Sequence, residues 1–215
     1  AIVVDVNDTG TGGTTVTLAN EGNAKVSANG TIAFNSTALT TGDETIALEI
    51  AVDGGGAAIT VTDFEVINVS TTLPTGATPL GADSRLDVEI VGGATSAMTM
   101  TGSQALEIDT ATVAASLDAS TYDGAITMTT TAANLNDIQF GNGADTITVA
   151  TGETVTITGG NGIDTLIAGA DMDTTTFSGF EVLNAAANIT NIDSSQLATA
   201  ITITGGNVTI DNADT

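Results

Sequence analysis

Two aspartates, Asp145 and Asp164, sit in the surroundings most suggestive of chemistry. Each lies in a glycine-rich phrase, FGNGADTIT over Phe140 to Thr148 and GGNGIDTLI over Gly159 to Ile167, and the two stand nineteen positions apart. The second phrase fills every defined position of the nonapeptide G-G-x-G-x-D-x-U-x, where U is a large aliphatic residue. The first lacks only the initial glycine. Glycine admits the positive φ of a tight turn and leaves main-chain carbonyls unobstructed, while aspartate adds a hard anionic oxygen. Such a donor set suits calcium, which takes about six to eight oxygens, more than one turn supplies. A stacked neighbour would supply the rest, and the interval between the aspartates is close to the roughly eighteen residues of two nonapeptides per coil. Nine residues beyond Asp164 comes Asp173, in the degenerate copy AGADMDTTT, which keeps Gly169. Nine beyond Asp145 comes Thr154, with Glu153 beside it, so a weakened opposite turn is expected there. The closing DNADT, Asp211 to Thr215, resembles the start of another.

Composition removes most competing chemistry. The chain has 215 residues, a formal charge of -24, two basic residues (Lys25 and Arg85), and no His, Cys or Trp. Without imidazole or thiolate there is no Ser/His/Asp or Cys/His nucleophile and no ordinary zinc site. Nucleic acid is a poor partner, because affinity for phosphates rests on Lys and Arg. Anionic membrane surfaces are disfavoured too, and no apolar run is long enough for a transmembrane helix. Hydrophobic residues at 41% argue against a disordered acidic tail, and aromatics at 3% suit a narrow core of small aliphatics. Nothing near Ala1 resembles a secretion signal, as expected of a mature or excised chain.

The elements that must position the aspartates are strands. Alternating phrases such as ETIALEIAV, LDVEIV, AMTMT, DTITVA and DTLIA recur between Gly, Asn, Asp and Ser. Helical candidates are single turns at Val113 to Ala119 and Ser194 to Ala200. The fold class is therefore all-β. Both prolines, Pro74 and Pro79, lie in the stretch Thr71 to Ser84, which divides the chain into a β-rich segment 1–73, a Pro/Gly linker or bend 74–84, and a calcium-binding β-solenoid 85–215. Beyond the prolines, strands of about four to six residues return every eight to eleven residues, the rhythm of solenoid coils. The segment before them reads as a sandwich, an irregular sheet, or part of the same solenoid behind a bend. An echo spans the division: DFEVINVSTT from Asp63 resembles GFEVLNAAAN from Gly179.

GGNGIDTLI resembles the calcium motif of repeat-in-toxin (RTX) proteins. AITMTTTAANLNDIQFGNGADTITV and the FEVLN, NITNIDSSQL and AITITGG phrases are similar to the Thr-, Ala- and Gly-rich solenoids of bacterial surface-layer (S-layer) proteins exported by type I secretion. The likeness spans Asp63 to Thr215. It implies a right-handed parallel β-solenoid of the RTX β-roll kind, calcium between adjacent turns, and assembly outside the cell into a two-dimensional lattice of like copies. Carried over by position, Asp145 and Asp164 give side-chain oxygens, and Gly141, Gly143, Gly159, Asn161 and Gly162 are turn carbonyl donors. Asp173 is the candidate ligand of the opposite turn. One full motif and one near copy, in place of a long tandem array, leave the number of ions open.

The expected function is thus structural and extracellular, a calcium-dependent self-assembling coat, anchored to cell-surface polysaccharide through a region outside this chain. A segment of a large secreted RTX adhesin or biofilm matrix protein is the alternative, distinguished by whether the chain associates with itself. Irregularly spaced Thr-x-Thr pairs argue against a flat ice-binding face. Carboxylate pairs such as Asp171/Asp173 are explained by ligation or solvation before catalysis, and the chain is not expected to be an enzyme.

Overall fold

Thr, Val, Ile and Leu in alternation set the local structure: β-branched residues favour extended backbone, and period two sends every second side chain to one face. In Thr45–Ile50, Ile46, Leu48 and Ile50 are buried while Thr45, Ala47 and Glu49 face outward. The computed structural model describes residues 3–211 apart from 7–13, 19–21, 27–29, 37–44, 52–54, 63, 74–85, 92–95, 109–113, 131–134, 151–152, 170–171, 173–174, 187–188 and 194–200.

The chain is an all-β solenoid. Its strands alternate between a nine-stranded sheet, from Val3–Val6 to Thr176–Ser178, and a ten-stranded sheet, from Thr14–Leu18 to Thr202–Gly205. Among the described residues all pairings are parallel, each strand bonding to the one two places on. Ile189–Asp193 and Val208–Asp211 form a third, two-stranded sheet. Inward side chains of the two large sheets meet in one core, in which residues equivalent in successive coils stack in columns. One column runs Ile46, Ile67, Met98, Leu117, Ile138, Ile157, Phe177, and all seven are buried. At roughly 1.5–3 kcal/mol for each large apolar side chain, such columns are the main stabilising term.

Coil length varies while register does not. Met98 pairs with Leu117 and Ile138 with Ile157, each across the same interval that separates Asp145 from Asp164. Ile67 pairs with Met98 across a coil more than half as long again. That longer coil contains 74–84, which lies outside the described residues. On either side of it the ladders continue, Gly55–Thr62 pairing with Leu86–Val91 and Val66–Thr71 with Ala97–Thr101. The FEVIN and FEVLN echo marks strand entries in different sheets: Val66–Thr71 belongs to the first and Val182–Ala185 to the second, each preceded by a buried Phe, Phe64 or Phe180.

Of the helical turn expected at Val113 to Ala119, the described residues 114–119 form none. Ser116–Asp118 is a strand, because Leu117 is needed in the core column between Met98 and Ile138. Three residues are too few to show a period of their own. The other candidate turn, Ser194 to Ala200, lies outside the described residues.

Candidate metal centre

The glycine-aspartate phrases occupy the corner where the chain leaves the first sheet and enters the second. Gln139 pairs with Thr158 on one side and Thr146 with Thr165 on the other, so the turns between them stack. The Asn142 N–H donates to the Tyr122 carbonyl at 2.8 Å and the Asn161 N–H to the Gly141 carbonyl at 2.7 Å. Carbonyls aimed along the solenoid axis explain the glycines. A Cβ on Gly141 would lie 2.2 Å from the Tyr122 oxygen, one on Gly143 2.2 Å from the Gly124 oxygen, and one on Gly162 2.1 Å from the Gly143 oxygen. Gly160 and Gly162 also take left-handed φ of +99° and +138°. The full nonapeptide therefore needs glycine for conformation and for space, whereas Gly141 and Gly143 answer to space alone.

On the sheet side of this corner a core column changes character. Leu106 and Ile126 fill it in two coils; the next two place the buried Asp145 and Asp164 in the same register position, and the third the half-buried Glu181. Each carboxylate caps the coil before it. Asp145 Oδ1 accepts the Ile126 N–H at 2.7 Å, Asp164 Oδ1 the Asp145 N–H at 2.8 Å, and Glu181 Oε2 the Asp164 N–H at 2.9 Å. Asp145 and Asp164 are 1% and 0% exposed, and in each the second oxygen, Oδ2, is buried without a hydrogen-bond partner.

Burial pushes the Asp145 carboxyl up to about 7, against the Ile126 N–H, with the Asp164 charge adding to the rise. Burial pushes Asp164 up to about 6, against the Asp145 N–H, with Glu181 adding. An ionised carboxylate in a core column costs several kcal/mol unless something pairs with it. Among the described residues no Lys or Arg pairs with either carboxylate.

A calcium ion here would have to draw on side-chain and main-chain oxygens together. Among the described residues no three acidic side chains converge on one point, because the three carboxylates are strung along the axis. Carbonyls must complete any shell. Two such oxygens meet at Gly159: the position a Cβ would take there lies 2.9 Å from Asp164 Oδ2 and 2.2 Å from the Gly179 carbonyl oxygen. When bound, calcium would neutralise the buried charge and cross-link the coils.

Of the expected site residues, Gly141, Gly143, Asp145, Gly159, Asn161, Gly162 and Asp164 are gathered at this one corner. The Gly141 carbonyl is engaged by the Asn161 N–H. The Asn161 side chain belongs to an exposed ladder, its amide donating to Asn142 Oδ1 at 2.9 Å and that of Asn142 to Asp123 Oδ1 at 2.8 Å. Asp173 lies outside the described residues. Glu153 is buried away from the acidic column, its main-chain carbonyl accepting from the Thr175 hydroxyl at 2.9 Å.

Sequence reasoning missed Asp123, Gly179 and Glu181. A signal for the first was present: DGAIT at Asp123 is in frame with NGADT and NGIDT, one equal step before each next phrase, with Ile126 where they carry Asp. Glu181 was hidden because the coil that joins it to Asp164 is two residues shorter than the one from Asp145 to Asp164, yet keeps the register.

A concavity of about 490 Å³ lies elsewhere, over outward residues of the first sheet including Asn23, Lys25, Glu49 and Asn68. Lys25 Nζ is 3.0 Å from Glu49 Oε1, and with the Thr72 hydroxyl it holds the Glu49 carboxyl below its usual range. It offers no buried group in need of a ligand.

Comparison with protein-family models, with curated proteins and with solved structures found no match to this chain.

Proposed function

We propose that this chain is a structural protein of the bacterial cell exterior, a β-solenoid whose acidic corner is completed by calcium and which assembles with copies of itself into an S-layer lattice. A single observation carries the calcium part: a core column that is Leu106 and Ile126 in two coils becomes Asp145 and Asp164 in the next two, each with a buried oxygen unpartnered, and the half-buried Glu181 follows in the third. An aliphatic there would often be the more stable choice, so a bound cation gives a reason for carboxylates in this column.

The residues would act by linkage. Asp145 and Asp164 repel each other in the folded chain and are separated in the unfolded one, so a cation that binds only the folded corner adds its binding energy to folding. At low calcium the chain would stay loosely folded during export, and folding would follow outside. The lattice rests on the likeness in sequence texture to S-layer solenoids. It accords with a chain poor in the His, Cys, Lys and Arg that catalysis or nucleic-acid binding would use.

The test is thermal unfolding followed by far-ultraviolet circular dichroism, with calcium and with excess chelator, then electron microscopy of the calcium-loaded protein. A raised Tm with ordered sheets supports the coat. A raised Tm without sheets favours an adhesin or matrix segment, and an unchanged Tm removes the calcium mechanism.

A further inference from the structure

The sequence pairs Asp164 with Asp145, its partner in the repeated phrase, but the two oxygens of Asp164 face different coils. Oδ1 is occupied from below, by the Asp145 N–H at 2.8 Å. Oδ2 is buried and unpartnered, and it borders the space above Gly159. We infer that the cation at this corner is shared by Asp164 with the coil that follows, through the Gly179 carbonyl and the Glu181 carboxylate, and that the coil of Asp145 has no equivalent seat. This inference rests on the calcium reading above.

Geometry supports the first half. The Gly159 Cβ position is 2.9 Å from Asp164 Oδ2 and 2.2 Å from the Gly179 oxygen, so the two oxygens lie no further apart than the sum of those distances. Two ligands of one calcium, each at about 2.3–2.6 Å, span up to about 5.2 Å. The following coil is also tied to Asp164 at three points. The Glu181 and Val182 N–H groups donate to the Asp164 carbonyl at 3.2 and 3.0 Å, and Glu181 Oε2 accepts the Asp164 N–H at 2.9 Å. Gly179 holds a left-handed φ of +73° in the turn that brings its carbonyl over Gly159.

The second half comes from the one glycine by which the two phrases differ. The register that aligns Gln139 with Thr158 and Thr158 with Ser178 puts Phe140, Gly159 and Gly179 in one column. Gly159 leaves open the space that a Cβ would fill, and Phe140 carries a side chain at that position, buried in the core at 1% exposure. The missing first glycine of the shorter phrase thus distinguishes a coil with a seat from one without.

Titration calorimetry of the full chain with Ca²⁺ alone, together with the calcium-induced rise in Tm, tests this on conservative variants that keep an oxygen acceptor. Glu181→Gln and Asp164→Asn should each weaken calcium binding at least tenfold, and Asp145→Asn should weaken it less than Glu181→Gln does. Gly159→Ala should abolish the calcium-induced rise; should it fail to fold, the three amide variants decide alone. An Asp145→Asn loss as large as that of Asp164→Asn, with Glu181→Gln silent, overturns the inference and returns the ion to the Asp145–Asp164 gap. A wild-type chain indifferent to calcium overturns the underlying reading as well, and is recognised before any variant is made.

Discussion

The same corner of the solenoid is closed in two ways a coil or two apart. At Tyr122 it is closed by neutral groups. The buried Tyr122 hydroxyl lies 2.7 Å from Thr71 Oγ1 and donates to the Gln104 carbonyl at 3.0 Å, and Gln104 Nε2 donates to the Thr72 carbonyl at 2.5 Å. What stays unpartnered there is a neutral atom, Gln104 Oε1. At Asp145 and Asp164 the corner is closed by carboxylates, and what stays unpartnered is ionisable. A neutral orphan costs about 1–3 kcal/mol, while a buried charge costs more and can be relieved by a proton or a cation. The difference teaches that stacked turns at one corner leave a neutral or an ionisable group unpartnered according to which side chains close them.

The largest expected contrast is in pH. The folded-state values of about 7 for Asp145 and about 6 for Asp164 lie above their ordinary 3.8. Between about pH 4 and 7 the metal-free folded chain keeps protons that the unfolded chain has lost, so stability present at pH 4 is lost as pH rises towards 7. The loss is of the order of 5 kcal/mol for the pair. Urea unfolding in chelator across this range measures it, and the double variant Asp145→Asn/Asp164→Asn should flatten the curve. A metal-free chain equally stable at pH 5 and 8 breaks the comparison.

Next come the glycines that both closures share. Gly124→Ala and Gly143→Ala each set a Cβ 2.2 Å from a backbone oxygen, of Gln104 and of Gly124 respectively. Each should cost of the order of 4 kcal/mol, read as a drop in urea midpoint with or without calcium. Unequal costs would mean that the two turns differ in backbone as well as in charge.

Calcium should act on one closure only. At a hundred times its Kd it adds about 2.7 kcal/mol. Amide exchange should then slow at Asp145, Asp164 and Glu181 more than at Met98 to Tyr122. Uniform slowing would point to a chain that responds as a single cooperative unit.

Tyr122→Phe sharpens the neutral side. Losing the hydroxyl bonds to Thr71 and Gln104 should cost about 1–2 kcal/mol and leave the calcium-induced rise in Tm intact. A calcium-dependent cost would tie the neutral closure to the metal, through the Asp145 charge, which adds to the rise to about 12 that burial imposes on Tyr122. The smallest effect belongs to the exposed amide ladder: Asn161→Ala should cost under about 1 kcal/mol.

Much of this was legible in the sequence because a solenoid is close to one-dimensional, each coil repeating a local pattern and touching its neighbours. The all-β class followed from period-two alternation, and Asp145 and Asp164 from their glycines. Less legible were the elements that hold register without holding spacing. Ser116–Asp118 carries one inward residue, Leu117, and three residues show no period. Glu181 stands two positions nearer to Asp164 than Asp145 does, so counting by a fixed step missed it.

The sequence by itself determined the strands, the glycine turns and the acidic character of one repeated phrase, because those depend on propensities and spacings within about one coil. Tertiary structure alone decided which residues share a column, since coils align by hydrogen-bonded register and not by count. That register set Asp145 and Asp164 above Leu106 and Ile126 in the core, stacked Phe140 beneath Gly159, and brought the Gly179 carbonyl to the unpartnered oxygen of Asp164.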